Sequence, residues 1–296
     1  MKYTSNMFES IKEALNKKTS SASEAFKDFM KLEIGKTYIV RLVPNLKNSK
    51  ETIFHYYNHI WNSTLTQELI SVFCPTSYGE RCPIDEYRSK IYKQYDGQQE
   101  HPEIKKIKPI KRNENWLVNV YVVNDPTNPD NQGKVKILRM GKQLFNIISD
   151  AMQGDDSKDF GERIFDLSEN GCNLRIKVDK NEGGYPSYTK SRFLTPSSLE
   201  ADEDEIHSSI KSLSNIFEHK NYDDIQKLLQ VHFLGETPEA KSTQVSRVDD
   251  YEEDKTFQKP QKQKQPVSAK EDEDEDEDEE STDDRINNIL KDLADI

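Results

Sequence analysis

The sequence predicts an α+β fold, a small β-barrel or sandwich carrying helical insertions, followed by a disordered acidic C-terminal tail. Three observations predict it. Short β-branched and aromatic runs recur through the middle of the chain, apolar residues at helical spacing lie between and after them, and the whole acidic excess sits at one end.

Taken in order, residues 1–32 read as an arm, with Phe8, Ile11 and Leu15 near helical spacing and Lys17 to Ser21 interrupting it. A frayed terminus fits this stretch equally well. Strands are expected at Lys36–Val43 (KTYIVRLV), Trp116–Val123 (WLVNVYVV), Gly133–Arg139 (GKVKILR) and Asn173–Val178 (NLRIKV). Between the second and third, Asn124–Gln132 (NDPTNPDNQ) is dense in Pro, Asn and Asp and should reverse the chain. Helices are expected from Pro83 to about Tyr95, over Lys142–Met152, and twice between Asp202 and Phe233. An OB-type barrel is one fold with this order of short strands and inserted helices.

Residues 236–270 are rich in Gln, Lys, Ser and Pro and nearly free of periodic apolar residues, which is linker composition. From Glu271 to Glu280 every residue is acidic, and residues 271–296 hold 14 acids against two bases. The first 270 residues are then balanced at 40 acids and 40 bases, so the formal net charge of −12 belongs to the tail. At 33% hydrophobic and 32% charged residues, part of the 296-residue chain should stay unfolded. No stretch approaches the roughly 18 uncharged apolar residues of a membrane span, and the N-terminus lacks a signal-peptide core, so a soluble, intracellular protein is expected. Three cysteines, Cys74, Cys82 and Cys172, argue against a disulfide framework.

Two groups of residues carry chemistry. The run from Lys105 to Lys142 holds nine bases against Glu114, Asp125 and Asp130, with Trp116 and Tyr121 inside it. Tyr78, Tyr87, Tyr92 and Tyr95 precede it, and in Gly183–Phe193 (GGYPSYTKSRF) Tyr185, Tyr188 and Phe193 alternate with Lys190 and Arg192. Cations for phosphates and flat rings for bases are what binding a single nucleic-acid strand without regard to sequence requires. For any one ring, burial in the core is the competing reading. The second group is His59, Cys74, Cys82 and Asp85, residue types that close a tetrahedral zinc site. Its alternative is a pair of buried thiols with Asp85 capping a helix. No phosphate loop, nucleophile elbow or HExxH occurs, so no enzyme is expected.

The run KRNENWLVNVYVVNDPTNPDNQGKVKILRMGK at Lys111–Lys142 resembles the helix-destabilising single-stranded DNA-binding proteins of T-even-like phages. Tyr38–Pro44 (YIVRLVP), the YxNH of Tyr56–His59, the Cys and CPxx pair at Cys74 and Cys82, and the YxxYxxSRFL ending at Leu194 extend the likeness in the same order.

The resemblance implies an OB-fold core with a zinc subdomain at about residues 54–96, the whole binding core spanning 33–235. It implies cooperative, sequence-independent coating of single-stranded DNA in phage replication, recombination and repair inside the infected cell. By position, the strand contacts it implies are Arg41, Tyr78, Lys111, Arg112, Trp116, Arg139, Tyr185 and Tyr188. The implied zinc ligands are His59, Cys74 and Cys82, with Asp85 standing where a third cysteine is expected. Self-contacts are implied for an N-terminal basic and hydroxyl motif, either Lys2-Tyr3-Thr4-Ser5 or Lys17-Lys18-Thr19-Ser20. The internal copy, Lys111-Arg112-Asn113-Glu114, has lost its hydroxyls. The acidic tail is expected to lie on the cationic groove until DNA displaces it, and then to recruit partner proteins, with Ile286, Ile289, Leu290 and Leu293 at helical spacing. An acidic DNA mimic or adaptor and an RNA-binding translational regulator are the other readings.

Overall fold

The structure, a computed structural model, describes residues 27–236. Most of the expected arm, nearly all of the linker and the whole acidic tail lie outside the described residues.

Among the described residues there are nine strands: β1 Thr37–Leu42, β2 Ile53–Asn62, β3 Leu69–Phe73, β4 Arg112–Asn124, β5 Val135–Met140, β6 Cys172–Lys177, β7 Asp179–Lys180, β8 Pro186–Ser187 and β9 Arg192–Pro196. Seven of them form one antiparallel sheet in the order β3-β2-β4-β1-β6-β9, with β5 also on β4, while β7 and β8 make a separate two-stranded ribbon. Five α-helices accompany them among the described residues: α1 Pro83–Gln94, α2 Pro102–Ile107, α3 Lys142–Gln153, α4 Glu203–Ser208 and α5 Tyr222–His232. The expected α+β class is thus present as a large antiparallel sheet with a few helices.

Strand β4 organises the molecule. One edge pairs first with β2, through Arg112–Val118, and then with β1, through Val120–Asn124. Its other edge pairs with β5 through Trp116–Tyr121. Such sharing of one edge needs a long strand, and the alternating valines of WLVNVYVV supply it. Trp116, Val118, Val120 and Val122 face the main core with Tyr38, Val40, Leu42, Leu138 and Ile176. Asn115 and Leu117 project to the other face, where Leu117 packs with Tyr56, Phe73 and Ile137.

The loop that reverses the chain after β4 is held by one carboxylate. Asp125, 1% exposed, accepts from Thr127 N at 3.0 Å, Thr127 Oγ1 at 2.8 Å, Asn128 N at 3.0 Å and Asn131 Nδ2 at 2.8 Å. With four donors the buried charge is satisfied.

One expectation is corrected here. Residues 28–32 do not continue a helical arm: Met30 N donates to Ile137 O and Ile137 N to Asp28 O, and Phe29, Met30 and Leu32 are buried. Their apolar side chains are worth more against β5 than on an exposed helix. Strand β2 with β3, and helix α2, are additional elements of the fold.

Candidate nucleic-acid interface and metal centre

Residues opposite one another in an antiparallel pair share a face, so the register of β2 on β4 sets a row. His55 faces Trp116, Tyr57 faces Glu114, and His59 faces Arg112. The side chains along it touch. The ring of Phe145, from α3, stacks on Trp116 with centroids 4.2 Å apart and planes 3° apart; Trp116 stacks on His55 at 5.1 Å; and His55 meets Tyr57 edge-on at 4.7 Å. Arg112 completes the row with its guanidinium 4.3 Å over the Tyr57 ring. Glu114 sits among them, accepting from His55 Nε2 at 2.8 Å and Tyr57 Oη at 3.4 Å. His55, Glu114 and Arg112 are exposed and Tyr57 half-buried, whereas Trp116 keeps only 7% exposure because rings cover both its faces.

Beyond Arg112 lies the metal-type cluster. His59, Cys74, Cys82 and Asp85 each present a ligand atom, all within 4.8 Å of one another. Cys82 Sγ is 3.5 Å from His59 Nε2, Cys74 Sγ is 3.4 Å from Asp85 Oδ2, and His59 Nε2 is 3.7 Å from Asp85 Oδ1. Ligands around one tetrahedral zinc stand about 3.3–3.8 Å apart, so the donor types suit the ion and these three separations fall in its range. His59 is oriented for it, because Nδ1 donates to Ile110 O at 3.0 Å and leaves Nε2 facing the sulfurs. The local folding explains the placement. Cys82 caps α1, Pro83 occupies the first helical position, and Asp85 and Glu86 follow in the favourable first turn. The two thiols titrate apart: Cys82 and burial push Cys74 up, while Cys74 pulls Cys82 below the usual thiol range.

The other residues implied by sequence divide between the two faces of β4. Arg139 lies opposite Leu117, and Leu117 opposite Phe54, so Arg139 is on the face away from Trp116. Tyr78 is on that side too, its ring 6.4 Å from Phe54 and 5.2 Å from Phe73, with its hydroxyl donating to Ser214 O at 3.1 Å. Tyr188 is 6% exposed within the core that holds Trp116, and its N donates to Gln143 Oε1 on α3. Tyr185, half-buried, follows the turn whose Asn181 Oδ1 accepts from Tyr185 N. Lys111, half-buried, directly precedes Arg112 at the start of β4.

Arg41 departs from the expected strand contact. It is fully buried, Nε donating to Asn173 Oδ1 at 2.8 Å, Nη1 to Asp166 O at 2.6 Å and Nη2 to Ser197 O at 2.7 Å. Its charge is spent tying β1 to two loops, and Gly171 leaves room for it, since a Cβ there would stand 2.1 Å from Nη1. The cationic run also disperses: Lys105 pairs with Glu100, Lys106 with Glu103, and Lys136 donates to Lys27 O. Among the described residues no helix is long and apolar enough to cross a membrane.

Sequence reasoning missed His55, Tyr57 and Phe145. The signal for two of them was present, since HYYNH places His55, Tyr57 and His59 at strand period.

A family model described as gp32 DNA binding protein like matches residues 34–232. The single-stranded DNA-binding protein of Enterobacteria phage T4 is 30% identical over 138 residues, which is 45% of this chain and 42% of that relative. The single-stranded DNA-binding protein of Enterobacteria phage T2 matches with the same identity and coverage. The match thus spans less than half the length of each relative.

Proposed function

Because the chain belongs to the gp32 DNA-binding-protein-like family, we propose that it binds single-stranded DNA irrespective of sequence, coating it cooperatively during phage replication, recombination and repair. The observation that carries this reading is the row Trp116, His55, Tyr57 and Arg112, where aromatic faces pass into an exposed cation along one pair of strands. Rings accept any base and the guanidinium takes a phosphate, so the row has the means to hold a strand without reading it. Lys111 beside Arg112, and Tyr185 on the ribbon turn, extend the contact surface; Tyr78 and Arg139, on the far face of β4, serve a strand that wraps the barrel edge. The barrel is of the OB type in this reading, and the protein acts as a binding protein rather than an enzyme inside the infected cell.

The cluster of His59, Cys74, Cys82 and Asp85 holds a structural zinc ion. Bound there, zinc would close the 54–96 region and stabilise it without taking part in chemistry. The acidic segment 271–296 competes with DNA for the cationic surface and, once displaced, docks replication, recombination and repair proteins. The N-terminal basic and hydroxyl motifs join neighbouring copies on the strand.

Fluorescence titration of the full chain with poly(dT) across a salt series tests the reading. Tight binding that weakens steeply with salt supports it. Preference for a defined RNA over poly(dT) would favour a translational regulator, and no binding of either would favour an acidic mimic. Deleting Glu271–Ile296 should tighten binding at low salt; unchanged or weaker affinity would remove autoinhibition from the proposal.

A further inference from the structure

We infer that His55, held in place by Glu114, is the residue on which an unpaired nucleobase stacks, and that Trp116 is its support rather than the contact itself. The inference rests on the strand-binding reading above. It follows from which ring faces are open. Phe145, Trp116 and His55 form a column, and a ring in the middle of a column has no free face to offer. Phe145 packs against the core from α3. The end of the column that meets solvent is His55, whose side chain is 41% exposed.

Stacking needs a ring fixed in one plane, because ordering a swinging side chain on binding costs free energy. His55 meets this condition. Glu114 Oε1 accepts from its Nε2 at 2.8 Å, Tyr57 closes one edge at 4.7 Å, and Trp116 lies beneath it. Glu114 is a positioning residue and not a phosphate ligand, since its charge repels the backbone. Arg112, beyond Tyr57, is the neighbouring group suited to the phosphate. A nucleotide therefore lies with its base on His55 and its phosphate toward Arg112.

Three chains test this with oligo(dT): the full protein, His55→Val and His55→Phe. Valine keeps a branched side chain over Trp116 and favours a strand, but it offers no flat face. Phenylalanine restores the face. The expected result is a loss of about tenfold or more for His55→Val and recovery of most of it by His55→Phe. A folded His55→Val that binds like the parent chain overturns the inference, as does His55→Phe binding as weakly as His55→Val. The same question can be asked without a substitution, by following the imidazole carbon-bound protons of His55 in the full chain as oligo(dT) is added. Stacking moves them by the ring current of the base, and their failure to move while the strand is bound overturns the inference. A parent chain that binds no oligonucleotide defeats the strand-binding reading itself, which the titration shows before any variant is compared.

Discussion

Arg112 lays its guanidinium 4.3 Å over the ring of Tyr57 and from the same position approaches Asp85 Oδ2 to 3.8 Å. One exposed side chain thereby links the aromatic row to the metal-type cluster. A metal ion bound by Asp85 would leave that carboxylate less able to hold Arg112, freeing the guanidinium for a phosphate.

Arg112→Ala should weaken binding to every single-stranded sequence by a similar factor and reduce the slope of log affinity against log salt by about 1. Titration of the variant at several salt concentrations checks this. A loss confined to particular sequences would assign Arg112 to base contact.

Zinc should raise the melting temperature of the metal-free protein, with a gain of about 2.7 kcal/mol at a hundredfold excess over Kd. Cys82→Ser should remove most of the gain, because it takes away one of the two sulfur donors of the cluster. Metal analysis of the purified chain together with thermal melts in zinc and in chelator decides it.

Trp116→Ala should destabilise the fold by about 3–5 kcal/mol, as expected when a large buried ring between two others is removed. Urea unfolding measures the change. Weakened DNA binding in this variant must be read after the unfolded fraction is accounted for.

Asp179 joins the ribbon to β6. Lys190, 2.8 Å away, and then Lys177 hold its carboxyl below the ordinary value of 3.8. A carboxylate with a depressed pKa stabilises the folded state above its ordinary pKa and loses that contribution as the pH falls through the depressed one. The melting-temperature advantage of the parent chain over Asp179→Asn should thus be constant from about pH 5 to 7 and shrink below about pH 4.

Much of the scaffold was legible because its strands are built from residues that favour a pleated, buried surface. TYIVRL and WLVNVYVV show it in their β-branched and aromatic content, and Pro83 marks the start of α1 by the one position in a helix where proline costs nothing. Strand β2 was less legible because both its faces are covered. Tyr56 packs on one side and Trp61 on another core, so HYYNHIWN shows no clean alternation of apolar and polar residues. The metal-type cluster was legible as a set of ligand residues, although their convergence depends on β2, the turn after β3 and α1 meeting in space. Arg41 could not be placed from local sequence. The carbonyls that accept from it belong to Asp166 and Ser197, far along the chain, and no neighbouring residue announces them. The row of rings was hidden for the same reason, since Phe145 reaches Trp116 from a different element.

The parts of the candidate interface leave the ribosome in sequence: β2 with His55, then β4 with Trp116, then α3 with Phe145. Until α3 has emerged, Trp116 has no cover on one side, and until β6 has emerged β1 lacks one of its two partners. Pairings this distant in the chain form late in folding. A growing polypeptide therefore cannot complete this row of rings until α3 has left the ribosome.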